Sequence, residues 1–342
     1  MELALYHETL GYYCRQDRPH PAGPGGDFIT APSAHPAFAW TLASLLRQLA
    51  ESCGKSLAFV DLGAGEGALL PFLLPLRGEG VLGSVVAVER SRESRKRLGA
   101  SYPEVQVVAT VEELTQPSGP AVLLASEVYD ALPCHVVEQH PEGLRELFVE
   151  VKADGALAWR AFAPSTPALG QYLRQYGIEL CPGQRAEIRP QAEAFHQRVL
   201  AALGEEAVVL VLDYGYPARQ LYNWKARKQG SLVGYSRHQV VWDPLSRPGE
   251  VDLTAHVNWD DLVSAARTRG FASLEPEPLG LFLTRWGLFA ALSQREGEGS
   301  IPWEIKALVH PAGMGSDLKV LQQGKGAIWE CYVRLRNEKF SG

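Results

Sequence analysis

The chain has 342 residues, 46% of them hydrophobic and 21% charged, with a formal net charge of −6. On a prior of ~150 residues per domain, this length and composition predict a globular protein with a sizeable core, in two domains or one with large insertions. The acidic balance argues against a sequence-independent grip on nucleic acid, and no apolar run approaches the ~18 residues of a membrane helix. Five scattered cysteines, with no C-x-x-C pair and no zinc-like histidine spacing, give no reason to expect a metal.

Residues 1–13 read as a short helix closed by Gly11, followed by a proline- and glycine-rich loop. Within that loop Gly25-Gly26-Asp27 reads, on spacing alone, as a surface turn. Phe38, Leu42, Leu45, Leu46 and Leu49 then recur at helical spacing. Next comes the most informative stretch, an apolar run over 57–62 that ends in Gly63, Gly65 and Gly67. It predicts a buried strand, a tight turn and a helix. Glycine there permits positive φ and lets a ligand approach the main chain, while the first amides of the helix stay unpaired. Pro75 is expected to kink or end that helix early.

Residues 84–89 form the next predicted strand, closing on Glu89 about 20 residues past the turn, where nucleoside sites place a ribose-binding acid. Arg90, Arg92, Arg95, Lys96 and Arg97 read as a solvated helix face. Strands over 105–108 and 121–125 continue an alternation that predicts a doubly wound, mostly parallel α/β sheet. The fourth strand runs into Ser126-Glu-Val-Tyr-Asp-Ala-Leu-Pro133. Glu127 and Asp130 thus cluster at a strand's carboxyl end, where open sheets bind ligands; helix capping is the alternative role.

Alternating runs between 134 and 162 predict an inserted antiparallel β-meander. A helix is expected over 184–203 and a very apolar strand over 207–215, ending at Asp213. Residues 216–256, rich in aromatic and basic side chains, read as a lid or substrate loop that closes on Pro248-Gly-Glu-Val-Asp-Leu-Thr-Ala-His256. A helix over 259–269, a glycine-rich stretch at 296–300 and a last strand over 328–335, the antiparallel edge of the sheet, complete the reading.

The ligand follows from charge. A dinucleotide site needs G-x-G-x-x-G, whereas this turn is G-x-G-x-G and is preceded by Asp61. An acid there is poor for a diphosphate and suits a ligand with a cationic end, such as the amino group and sulfonium of S-adenosylmethionine. With Glu89 and Glu127 at further strand ends, the pattern points to a Rossmann-like class I methyltransferase.

The chain also resembles the MidA family. The matching segments are Gly11-Tyr-Tyr13, Gly26-Asp-Phe-Ile-Thr-Ala-Pro32, Asp61-Leu-Gly-Ala-Gly-Glu-Gly67, Glu127-Val-Tyr-Asp-Ala-Leu-Pro133, Asp213-Tyr-Gly215, Pro248 to His256 and Met314-Gly-Ser-Asp-Leu-Lys-Val320. They span nearly the whole length. The resemblance implies S-adenosylmethionine as cofactor and a protein substrate, since the family's mitochondrial members are protein arginine methyltransferases of respiratory complex I assembly. It also implies that Asp27 and Thr30 fold the N-terminal segment over the cofactor. Asp61, Gly63, Gly65, Gly67, Glu89, Ser126 and Glu127 complete the expected cofactor set. The chain departs from the family at Ser33 (usually Glu), Ala39-Trp40 (often Gly-Glu), Glu66 (often Arg) and Ser126 (commonly Asn), which puts the acceptor in question. The expected division is an N-terminal segment with a covering loop (1–56), a methyltransferase domain (57–133 and 184–342, with the lid at 216–256) and the insert (134–183).

An arginine acceptor is cationic at any ordinary pH, and carboxylates would orient its fork and accept the departing proton. Glu127 and Asp130 are the candidates, with Glu127 alternatively holding the cofactor. His256 is either a base or a satisfied structural histidine. The function expected is protein methylation; the alternative is an assembly or scaffolding protein that keeps the fold and the pocket. A nicotinamide oxidoreductase is disfavoured by the glycine spacing. Scattered thiols and the absence of a leader-like start fit a reducing cytoplasm. No membrane span and no nucleic-acid partner are expected, and the sequence leaves the oligomeric state open.

Overall fold

The computed structural model describes residues 1–15, 26–296, 302–310 and 313–339. The proline-rich loop, with Gly25 of the predicted turn, and most of the glycine-rich stretch at 296–300 lie outside the described residues. In chain order the first strands are β1 Leu57–Leu62, β2 Leu82–Val88, β3 Gln106–Val108 and β4 Ala121–Ser126. Then follow β5 His135–His140, β6 Gly143–Val151, β7 Leu157–Phe162, β8 Arg185–Ile188 and β9 Ala207–Tyr216. The remainder are β10 Val233–Ser236, β11 Gln239–Val241, β12 Asp252–Thr254, β13 Val257–Asn258, β14 Ala272–Ser273, β15 Glu277–Pro278 and β16 Leu318–Lys325.

These elements fall into two compact units. The first comprises Tyr129–Phe195, Tyr214–Ser264 and the described part of Met1–Pro19; the second comprises His196–Asp213 and the described parts of His20–Val128 and Ala265–Gly342.

The second unit holds the main sheet, in the order β14-β16-β9-β4-β1-β2-β3. Strand pairs β1–β2, β1–β4, β2–β3 and β4–β9 are parallel, and β14 and β15 pair antiparallel with β16. This is the doubly wound class with an antiparallel edge. Every residue of β1 and the first five of β4 are buried, as expected of parallel strands covered on both faces. Register levels the strand ends: Leu62 lies opposite Val88 and Ala125, and Ala125 opposite Val211. Gly63, Glu89 and Ser126 therefore all stand at the carboxyl edge.

Some predicted elements change. The closing strand is β16, and 328–335 lie inside the helix Ala327–Glu338. The apolar-polar mixture of 328–335 imitates a strand, but the buried pair Ile328 and Tyr332 is spaced four apart, the helical period. In β16 the buried Gln322 and Gln323 hide the strand's apolar character. They are buried because they are satisfied: Gln322 donates to Glu277 Oε1 at 2.7 Å, and Gln323 Oε1 lies 2.6 Å from His196 Nε2. The helix expected over 184–203 begins only at Pro190. Proline starts a helix well but pushes the residue before it toward extended backbone, and 185–188 pair with β5 instead.

The first unit carries the antiparallel sheet β7-β6-β5-β8 and a small sheet, β11-β10-β12, in the region expected to be a lid. β13 runs parallel to the end of β9, with Val257 opposite Gly215. The helix Ala168–Gln175 seals the larger sheet, with Leu169, Tyr172 and Leu173 packed among Val137 and Ile188. The N-terminal helix spans only Glu2–Tyr6 and ends well before Gly11, where an added Cβ would sit 2.3 Å from His7 N. No helix among the described residues is long and apolar enough to cross a membrane.

Candidate cofactor site and acidic turn

The glycine turn of the second unit has Gly63, Gly65 and Gly67 at φ +77°, +57° and +77°. Only glycine takes such angles freely. Gly63 N donates to Val88 O at 2.8 Å, tying the turn to β2. At Gly67 a Cβ would fall 2.7 Å from Leu70 Cδ1 and 2.8 Å from Leu98 Cδ2, so this glycine is needed for space as well.

Glu89 braces the same turn. Its Oε2 accepts from Gly65 N at 2.8 Å and its Oε1 from Ser91 N at 2.6 Å. Burial raises its carboxyl above the usual range, and these two amides pull it back. Each oxygen retains a lone pair for a ligand hydroxyl. Asp61, 5% exposed, has its carboxyl pushed up to about 7, first by burial and then by Glu89. Among the described residues no Lys or Arg forms an ion pair with it. Ser126 Oγ, at the end of β4, is buried with no hydrogen-bond partner among the described residues.

A buried acid without a counter-cation, on the strand adjacent to one that ends in an orphaned hydroxyl, fits a ligand with a cationic end and polar groups. It does not fit a diphosphate, because the Gly65 amide is already spent on Glu89 and the local charge is negative. These observations match S-adenosylmethionine.

Glu127 leaves β4 at φ +54°, a conformation that costs a residue with a Cβ about 1–2 kcal/mol. Its N donates to Leu212 O at 2.8 Å and its Oε1 accepts from Ala31 N at 3.2 Å. It thus anchors the first turn of the helix Ala31–Ala34, which Thr30 caps. Ser33 Oγ accepts from Thr30 N at 3.0 Å, the return bond of a capping box. Glutamate commonly makes that bond, so the departure at Ser33 is absorbed by the cap. Asp27 lies half-buried in the bend just before. Glu66, the other departure, takes a double hydrogen bond from Arg97 at 2.6 and 2.8 Å. Trp40 packs edge-on to His35.

In the first unit Asp130 is 7% exposed, and its Oδ2 accepts from Thr254 Oγ1 at 2.6 Å. Burial raises its carboxyl, against Thr254 and the charge of Arg189. Tyr13 OH donates to Asp252 Oδ1 at 2.6 Å. His256 Nδ1 lies 3.4 Å from Arg227 Nε, and its ring meets Tyr216 edge-on. Burial, with Arg227 and Arg189, lowers its pKa to about 4. Sequence reasoning missed Arg189, Thr254 and Tyr13. Thr254 and Tyr13 stood inside matched motifs, but Arg189 stood in none.

The fold and the turn define a class I S-adenosylmethionine-dependent methyltransferase. A family model described as "Putative S-adenosyl-L-methionine-dependent methyltransferase" matches residues 37–277, and the chain belongs to that family. It is 28% identical to the rat mitochondrial protein arginine methyltransferase NDUFAF7, over 92% of this chain and 77% of the relative. Identity to the mouse protein of that name is also 28%, over 100% of this chain and 81% of the relative. A Burkholderia thailandensis protein solved with S-adenosyl-homocysteine bound superposes with a TM-score of 0.81 at 29% identity, over 95% of this chain and 86% of that one.

These relatives correct one expectation. They are mitochondrial by name, which overturns the cytoplasmic assignment.

Proposed function

We propose that this methyltransferase acts on a protein at an arginine side chain, and that Asp130 is the carboxylate that orients the acceptor. The observation that carries the reading is the Asp130 carboxylate, buried past the end of β4 and fixed by Thr254 at 2.6 Å. The relatives named protein arginine methyltransferases, at 26–28% identity in rat, mouse and human, support it.

Asp61, Glu89, Ser126 and the glycine turn would hold the cofactor. S-adenosylmethionine, when bound, supplies a methyl group already activated by its sulfonium. Asp130 orients the acceptor's planar fork through paired hydrogen bonds. Transfer of that methyl group to a guanidinium nitrogen would oblige the acceptor to give up one proton. Asp130 accepts it, helped by burial, which makes the carboxylate a stronger base. Glu127 takes the cofactor-side role, with Asp27 and Thr30 in the segment it anchors. His256 is read as structural: with Nδ1 receiving Arg227, the neutral ring carries its hydrogen on Nε2 and has no nitrogen left to take a proton.

The scaffold alternative, motivated by Ser33, Trp40 and Glu66, is not better supported, since Ser33 and Glu66 find local hydrogen-bond partners and Trp40 packs on His35. The test is incubation of methyl-labelled S-adenosylmethionine with a cell extract, then amino-acid analysis of the labelled protein. Methylarginine is expected. Label on another residue type overturns the acceptor, and no protein label overturns protein methylation.

A further inference from the structure

Arg189 stands between β8 and the helix Pro190–Leu203 and is 5% exposed. Its guanidinium donates to four main-chain carbonyls. Nε reaches Leu132 O at 2.9 Å and Nη1 reaches His256 O at 2.9 Å. Nη2 reaches both Asp130 O and Ala255 O at 2.8 Å. An arginine has five N–H donors in one rigid plane, and here four hydrogen bonds join two separate segments. One segment is the turn after β4, and the other is the link between β12 and β13. Bonds from a charged donor in a buried place are the strong kind.

The segments share two further bonds, and both end on Asp130. Ala255 N donates to Asp130 O at 3.2 Å, and Thr254 Oγ1 to Asp130 Oδ2 at 2.6 Å. Asp130 is thereby held by its carbonyl and by its carboxylate, and Arg189 bonds the main chain of both segments that this pairing joins. A buried guanidinium spent on carbonyls, with no carboxylate oxygen among these four acceptors, has a placing task.

We infer that Arg189 is a positioning residue for methyl transfer: by bridging the carbonyls of Asp130, Leu132, Ala255 and His256 it fixes where the Asp130 carboxylate points. The inference rests on the reading that Asp130 orients the acceptor. Lysine would keep the charge at this place but has one compact ammonium on a flexible stem, which cannot span four carbonyls. The fork, more than the charge, is the requirement.

The test compares wild type with Arg189→Lys, using methyl-labelled S-adenosylmethionine and an extract of cells lacking this protein. Cofactor binding is measured by calorimetry on the same samples. The variant is expected to lose about 100-fold in maximal rate, the scale of a small misplacement of a catalytic group. Its cofactor KM and Kd should stay within about threefold of wild type, because transition-state placement and uniform binding separate in this way. A merely structural role would lower rate and cofactor affinity together, and that result, or an unchanged rate, overturns the inference. A wild type that labels nothing defeats the acceptor reading itself, and the role of Arg189 falls with it. If Arg189→Lys does not fold, Thr254→Val removes only the hold on Asp130 Oδ2. It should give the same split with a drop of about tenfold, and an unchanged rate there counts against the inference.

Discussion

The amide of Gly65 donates to Glu89 Oε2 at 2.8 Å, so the acid at the end of β2 determines the shape of the glycine turn that follows β1. The same carboxylate takes the Ser91 amide on its other oxygen. Glutamine at position 89 would turn an NH2 group toward one of these amides, leaving a donor facing a donor. That costs about 1–3 kcal/mol. Glu89→Gln is therefore expected to weaken S-adenosylmethionine binding by about tenfold or more, read by calorimetry; unchanged affinity would show that the brace is dispensable.

Asp61 is expected to make cofactor binding pH-dependent. Its folded pKa is raised to about 7, whereas an unfolded aspartate titrates near ~3.9. Between those values the folded chain holds a proton that the unfolded chain has released, so Asp61 makes stability fall as pH rises through that window. A cationic ligand lowers the carboxyl again and expels the proton. Affinity should thus improve as pH rises toward 7, with proton release on binding near pH ~6. Calorimetry in two buffers of different ionisation enthalpy measures that release. Asp61→Asn should abolish it, and a release that persists in the variant assigns the proton to another group.

Gly67→Ala should destabilise the protein by about 2–4 kcal/mol, since positive φ and two close leucine methyls both oppose a Cβ. Gly54 offers the contrast. It has φ +61° with nothing within 4 Å of a Cβ, and alanine there should cost only about 1 kcal/mol. Denaturant midpoints of the two variants check the difference, and equal losses would mean that Leu70 and Leu98 give way.

The architecture was legible where periodicity and punctuation agree. Leu57–Leu62 with its glycines, and the other parallel strands β2, β3, β4 and β9, follow from apolar runs bounded by turns. The tail was less legible because β16 buries Gln322 and Gln323, whose partners Glu277 and His196 are distant in sequence. Residues 328–335 imitate a strand for the complementary reason, since their helical period rests on only two buried residues. The acids of the candidate site could be found because strand ends announce them. Arg189 could not, because its four acceptors are main-chain carbonyls, and any residue type can supply those.

Ser33 is one of the positions where the chain departs from the family. The structure gives it the return bond of a capping box, a place that glutamate fills equally well. Ser33→Glu should then leave cofactor affinity and turnover within about threefold of wild type. A large gain in rate, measured with labelled cofactor, would instead make the glutamate a functional acid that this chain has lost.

Methyl transfer to arginine rests on an acceptor-orienting carboxylate at Asp130. Transfer of a labelled methyl group to extract protein, measured for wild type and Asp130→Asn alongside cofactor affinity, tests it most directly. The account predicts methylarginine from wild type, unchanged cofactor binding in the variant, and a rate lowered by about 100-fold or more. Saturable cofactor binding with no protein label from the wild type, or full activity in Asp130→Asn, would contradict it.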